Sequence, residues 1–288
     1  MALGSAVLEG AGLILEKKTL MKEHAMEFTA SMALFAMLFT TPLWFFSRAI
    51  ITLGALGWIF LASLTTTLTI FFIAKAFRHL AISYTTPFLA FGPLVTAVLA
   101  SIFLGESLNA VQWIGVLVLL LGAYLLHSHT HRDLLAPFKH AANTGHMNYM
   151  WLGILFYAIT GLLDKKIVGS AQLAVPVVTY LVLLFYFMGV ISVVMMLIFH
   201  DGFKGIGNGM RDNHFSLSGV ALLTIGFKAL VITAISLPGA MISLIIPIKK
   251  MSALFSTLIG GEMFHEEHVL RKTIACSIMV LGAVLVLL

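Results

Sequence analysis

FGPLVTAVLASIFLGESLNAVQWIGVLVLLLGAYLL, residues 91–126, is two apolar runs separated by one short polar break, GESLN. Neither run alternates polar and apolar residues, so neither reads as a strand of a membrane barrel. At ~1.5 Å per residue, about 20 apolar residues cross the ~30 Å hydrocarbon layer as a helix. The stretch therefore reads as the end of one membrane helix, closed by Gly105 and Glu106, and a second membrane helix after them. The same texture extends in both directions. Of 288 residues, 60% are hydrophobic and only 10% charged, and the mean hydropathy is +1.04. A soluble domain carries about a quarter charged residues, so that class is excluded. A net charge of +5 would suggest nucleic acid in a soluble chain. Here it belongs to Lys and Arg in the connections of a membrane protein, and no nucleic-acid partner is expected. The single cysteine, Cys276, lies in an apolar run and supplies neither a disulfide framework nor a thiolate metal site. No basic leader precedes the first apolar run and no small-residue cleavage site follows it, so the first run is expected to be a span.

Reading outward gives ten spans, at about 1–16, 26–47, 53–77, 81–104, 109–127, 148–164, 174–199, 216–235, 238–260 and 269–288. The polar stretch 128–147 divides them into two halves of five, 1–127 and 148–288. Four local matches recur in the same order in both halves. Glu16-Lys17-Lys18 closes the first span and Asp164-Lys165-Lys166 the sixth. KAFRHLAIS (75–83) matches KALVITAIS (228–236), Gly105-Glu106 matches Gly261-Glu262, and LGAYL (121–125) matches LGAVL (281–285). An odd number of spans per half means the second half enters the membrane inverted. The expected fold is thus all-α and integral to the membrane, with ten transmembrane helices in two inverted five-helix repeats. Secondary transporters are built this way, with the site where the halves meet.

Residues 91–126 and IPIKKMSALFSTLIGGEMFHEEHVLRKTIACSIMVLGAVLVL (246–287) resemble the C-terminal parts of the two EamA repeats of the drug/metabolite transporter superfamily. The resemblance covers nearly the whole chain. It implies a multi-pass carrier of the inner (plasma) membrane, monomeric or homodimeric, for a small metabolite, with no cofactor and no enzymatic step.

Charges left inside the spans locate the candidate site. Ten Lys and Arg fall in odd-numbered connections (Lys17, Lys18, Lys22, Arg78, Arg132, Lys139, Lys204, Arg211, Arg271, Lys272) and three in even ones (Arg48, Lys165, Lys166). By the positive-inside rule this places both termini outside, whereas the resemblance implies cytoplasmic termini. The other four, Lys75, Lys228, Lys249 and Lys250, lie within spans. Lys249 and Lys250 fall about eleven residues from either end of the ninth span, ~16 Å deep and near the midplane. Each costs ~2.5–3.5 kcal/mol there and cannot snorkel to water. The pair must therefore face a wet cavity or a buried acid. Glu9 is the only acid deep in the first span, one carboxylate for two ammonium groups. That cationic surplus points to an anionic or zwitterionic solute, and the resemblance adds that triose-phosphate and nucleotide-sugar carriers use a basic pair in this span. Glu9 is also a candidate proton-coupling group. Tyr157 holds the place in the sixth span that Glu9 holds in the first and is expected on the cavity wall. Lys228 is expected at a cavity mouth; its repeat partner Lys75, a further site candidate, sits beside Arg78 and His79 and reads first as a residue of the membrane interface. Glu106 and Glu262 read as structural, pairing with cations such as Arg271 or Lys272. His127, His129, His131, His140 and His146 allow a second reading, a divalent-cation carrier, which the midplane lysines oppose by repulsion. A membrane enzyme would need clustered catalytic acids, His or metal ligands at one interface, and the sequence has none.

Overall fold

The computed structural model describes residues 1–20, 24–47, 51–79, 88–127, 146–169, 172–199, 207, 213–250 and 269–288. Gly261 and Glu262, most of the His-rich connection and the second half of the expected ninth span lie outside these residues. Every described element is helical: α1 (Ala2–Leu20), α2 (Ala25–Thr40), α3 (Leu53–His79), α4 (Phe91–Phe103), α5 (Ala110–His127), α6 (Met147–Val168), α7 (Val177–Phe199), α8 (His214–Ser236), α9 (Ile242–Lys249) and α10 (Val269–Leu287). A 3-10 helix, Thr41–Phe46, extends α2. Pro42 has no N–H to continue the α-helical ladder, and the Thr40 and Thr41 hydroxyls donate to the Ala36 and Met37 carbonyls there, at 2.8 and 2.9 Å.

By length and composition, α2 with its extension, α3, α7 and α8 are each able to cross a membrane; α4, α5 and α10 contain shorter apolar helices. The apolar side chains Leu38, Ile114, Leu121, Val190, Ile198 and Leu281 are exposed. Thr29, Ser63, Thr67 and Thr96 are buried, and each hydroxyl donates to the carbonyl one turn back. Hydrocarbon outside and self-satisfied hydroxyls inside are what a bilayer solvent demands.

Two expected ends shift. The sequence reading closes the first and sixth spans at Glu16 and Asp164, yet α1 runs on to Leu20 and α6 to Val168. A charge ends an apolar run but not a helix, whose hydrogen bonds are internal. Both acids therefore lie inside helices.

The helices pair in a regular way. α1 packs along α8 and α3 along α6; α2 touches α8 and α7 touches α3; α4 meets α6 and α9 meets α1. α2 with α7, α4 with α9, and α5 with α10 pair with each other. Exchanging each helix for the one five places away maps this set of pairs onto itself. The repeated LGA has its reason here: a Cβ on Gly122 would lie 2.7 Å from the Met279 nitrogen of α10, and one on Gly282 would fall on the Leu119 main chain of α5.

Gly105 and Glu106 link the end of α4 to the start of α9. Gly105 takes a left-handed φ of 66°, open to glycine, and turns the chain so that Glu106 reaches the N-terminus of α9. There its carboxylate accepts from the Ile242 and Ser243 N–H groups at 2.8 and 2.9 Å, and from the Ser243 hydroxyl. The sequence expectation of a cation partner is replaced by a helix N-terminus, whose free N–H groups and dipole favour a carboxylate. Glu106→Ala should lower stability by about 2 kcal/mol, read as a fall in melting temperature in detergent, with Glu106→Gln between it and the parent. An unchanged melt would mean that this cap is unimportant.

Candidate functional site

A cavity of about 180 Å³ lies among eight of the helices. α1 presents Glu9, Gly12, Leu13 and Glu16, and α6 presents Tyr157, Thr160, Gly161 and Asp164. Both sets follow the i, i+3, i+4, i+7 spacing of one helix face, so the two correspond position by position, Glu9 to Tyr157 and Glu16 to Asp164. α3 presents Thr66, Thr69, Ile70 and Ile73, and α8 presents Thr224, Phe227, Lys228 and Val231, which correspond in the same way. A cavity of roughly 150 Å³ holds a benzene-sized molecule, which sets the scale of what fits.

Lys249 and Lys250 both face this cavity. α9 ends on them: Lys249 is its last residue and Lys250 its C-cap, where the helix dipole favours cations. Pro247 lies inside α9 and, lacking an N–H, leaves the Ser243 carbonyl without its usual helical donor. One oxygen of Glu9, Oε1, meets both ammonium groups, at 3.2 Å from Lys249 and 3.9 Å from Lys250. Lys249 is 4% and Glu9 8% exposed, so the contact is shielded from bulk water. The Lys249 ammonium also stands 4.6 Å from the Phe227 ring centroid and 5.4 Å from that of Tyr157, with Lys250 at 5.2 Å from the latter. Ring faces hold a partly dehydrated ammonium without neutralising it. The Tyr157 hydroxyl is buried with no hydrogen-bond partner among the described residues.

A second assembly forms one wall nearer the C-terminal end of α6. The Lys228 ammonium is 2.6 Å from Asp164 Oδ2, and the fully buried Tyr180 of α7 donates its hydroxyl to Asp164 Oδ1. Beyond it the same end is tied by Lys165, which donates to the Ile235 and Ala240 carbonyls, and by Lys166, 3.6 Å from the Trp58 ring centroid.

Of the six residues singled out from sequence, Glu9, Tyr157, Lys228, Lys249 and Lys250 line the cavity. Lys75 does not. Its ammonium lies over the rings of Tyr149 (4.4 Å) and Phe71 (5.5 Å), near the stacked pair His79 and His146. The KAFRHLAIS match pairs Lys75 with Lys228, whereas the cavity faces pair Ile70 with Lys228 and Thr66 with Thr224. A slip of five positions turns the helix by ~140°, enough to carry a side chain to another face. By the spacing of the cavity-lining residues the counterpart of Lys228 is Ile70.

The expected cationic surplus is also revised. Lys228, Lys249 and Lys250 share the cavity with Glu9, Glu16 and Asp164, three ammonium groups with three carboxylates. Sequence reasoning misses Glu16, Asp164 and Tyr180 as site residues, the two acids because they look like span ends. A signal is present: Glu16 follows Glu9, and Asp164 follows Tyr157, by two helical turns, so each acid shares a helix face with a site candidate. Among the described residues no group of three or more His, Cys, Asp or Glu could hold a metal; His129, His131 and His140 lie outside them.

A solved structure titled "Crystal structure of protein" superposes with a TM-score of 0.71, covering 98% of this chain and 93% of its own, at 14% sequence identity. At that identity the likeness is one of fold. No curated protein matches the sequence. Residues 1–128 match the EamA-like transporter family. That match spans less than half of the chain, and the long apolar helices make the chain a membrane protein.

Proposed function

We propose that the chain is a multi-pass carrier of the inner (plasma) membrane that moves a small carboxylate-bearing metabolite by alternating access. In this reading ten spans form two inverted five-helix repeats, 1–127 and 148–288, joined by residues 128–147. The set of helix pairs that maps onto itself under a shift of five supports the repeat, since a two-fold axis requires reciprocal pairs. The observation that carries the function is the cavity between the halves with Lys249 and Lys250 on its wall, held by one Glu9 oxygen. Two ammonium groups converging on one carboxylate oxygen form a ready receptor for a second carboxylate. The rest of the lining is largely apolar, with Leu13, Ile70, Ile73, Leu89 and Phe185 available to a short hydrocarbon body. The ties at the Asp164 end support a state closed toward that face, one of the two that alternating access requires.

The test is uptake of short monocarboxylates into proteoliposomes. Each charge-assisted hydrogen bond is worth about 1.5–3 kcal/mol, so Lys249→Gln and Lys250→Gln should each reduce apparent affinity by about tenfold or more, and the double variant should abolish uptake. Full activity in a well-folded double variant removes the binding role.

A further inference from the structure

Comparing the two equivalent walls of the cavity isolates one carboxylate. On one wall Asp164 has two partners, the Lys228 ammonium and the Tyr180 hydroxyl. The register that pairs Glu9 with Tyr157 makes Glu16 the equivalent of Asp164, and the register of α3 and α8 makes Ile70 the equivalent of Lys228. Met32 of α2 and Leu184 of α7 line the cavity as a further matched pair. One turn before them, that register sets Phe28 opposite Tyr180, both fully buried. By this register the acid is kept on both walls, while the positions that supply its cation and hydroxyl partners at Asp164 hold Ile70 and Phe28 in the other set.

The charged and titratable groups on the helices around Glu16 are accounted for one by one. α9 presents Lys249 and Lys250, engaged by Glu9. α8 presents Lys228, engaged by Asp164 of α6, and begins at His214, whose ring lies 4.3 Å from that of Phe215. α3 carries Lys75, held over aromatic rings, with Arg78 and His79 in its last turn. α2 begins at the His24 cap with Glu27, whose carboxylate accepts from the His24 N–H. α1 itself carries Glu9, two turns away, with Lys17 and Lys18 next in sequence. Among the described side chains none forms an ion pair with Glu16.

The charge count then requires something of Glu16. With all groups ionised, three ammonium groups balance three carboxylates. A carboxylate solute adds one negative charge, and an uncompensated charge at this depth is expensive. One proton restores neutrality. Glu9 and Asp164 are occupied by ammonium groups, which leaves Glu16 to accept it. We propose that Glu16 is the proton-exchanging carboxylate of this carrier, taking up one proton with each carboxylate solute, so that transport is electroneutral proton symport. The step balances: the solute carboxylate and one proton from the same aqueous phase enter the cavity, Glu16 becomes a carboxylic acid, and on the opposite face solute and proton leave together. The coupling role considered for Glu9 from sequence passes to Glu16, because Glu9 already has two counter-ions. The inference rests on the carboxylate reading of the cavity.

The full chain in weakly buffered detergent solution tests it, with propionate, butyrate and benzoate as probes. Binding is read by thermal shift and proton uptake by a pH-indicator dye. The parent protein is expected to take up about one proton per carboxylate bound, Glu16→Asp to retain this, and Glu16→Gln to bind the same probes with none. Ile70→Lys, which gives Glu16 the cation that Asp164 has, should also bind carboxylate without proton uptake. If the probes bind the parent with no proton uptake, or if uptake persists in Glu16→Gln, the assignment is overturned. If no probe raises the melting temperature of the parent, the carboxylate reading fails and takes this inference with it. Should Glu16→Gln fold poorly, the Ile70→Lys result decides by the same criterion.

Discussion

Asp164→Leu is expected to lower stability by about 3 kcal/mol, with a fall in melting temperature on the order of 10 °C. Asp164 is 3% exposed and joins three helices: its own α6, α8 through Lys228 and α7 through Tyr180. Its removal leaves the Lys228 ammonium, 13% exposed at its side chain, facing an apolar wall. It also leaves the Tyr180 hydroxyl buried without its acceptor, a loss of about 1–3 kcal/mol on its own. The substitution enlarges the apolar surface of the cavity, but only a small part of the lost energy returns that way. The double variant Asp164→Leu/Lys228→Leu should recover much of the loss, because no uncompensated charge remains. Detergent melts of the two singles and the double form the cycle. A single variant that melts with the parent would show that the contact carries no stability.

Gly282→Val should be as damaging, for a steric reason. α5 and α10 lie so close that a Cβ at Gly282 falls on the main chain of Leu119, and one at Gly115 lies 2.6 Å from the Val286 nitrogen. Backbone cannot rotate away as a side chain can, so the helices must separate along their length. Helices in lipid gain association energy from such close approach. Overpacking costs about 1–3 kcal/mol even where side chains can yield, so a loss of about 3 kcal/mol or more is expected here. Gly57 is the control: a Cβ there meets nothing within 4 Å, and Gly57→Ala should be neutral or slightly stabilising. The check is the difference in melting temperature between the two variants. If Gly282→Val behaves like the control, the α5–α10 approach is looser than described.

Much of this is legible in the sequence, for reasons that can be named residue by residue. Lys249 and Lys250 stand out because two charges in mid-run have no other cheap explanation, and Glu9 stands out as the one deep acid. Glu16 and Asp164 are hidden by a correct rule applied one step too far: charges do end apolar runs, but the helix continues past them. The KAFRHLAIS match misleads because small-residue patterns recur in any apolar helix, and only the cavity faces show which positions are equivalent. Lys75 and Lys228 look alike as letters and differ by ~140° in direction. Glu106 reads as a surface partner for cations, and its true donors, the first N–H groups of α9, have no side-chain signature.

Hydropathy by itself determined that the chain is helical and lives in lipid, because in a bilayer each backbone hydrogen bond must close within its own helix or barrel, a local property that a run of letters can carry. Which carboxylate meets which ammonium was decided only by the tertiary structure. Glu9, in the first helix, finds its lysines at the end of the ninth, and Asp164, in the sixth, finds Lys228 in the eighth. Such partners are chosen by how the helices cross and rotate, and those angles are set by packing between helices rather than by any one of them.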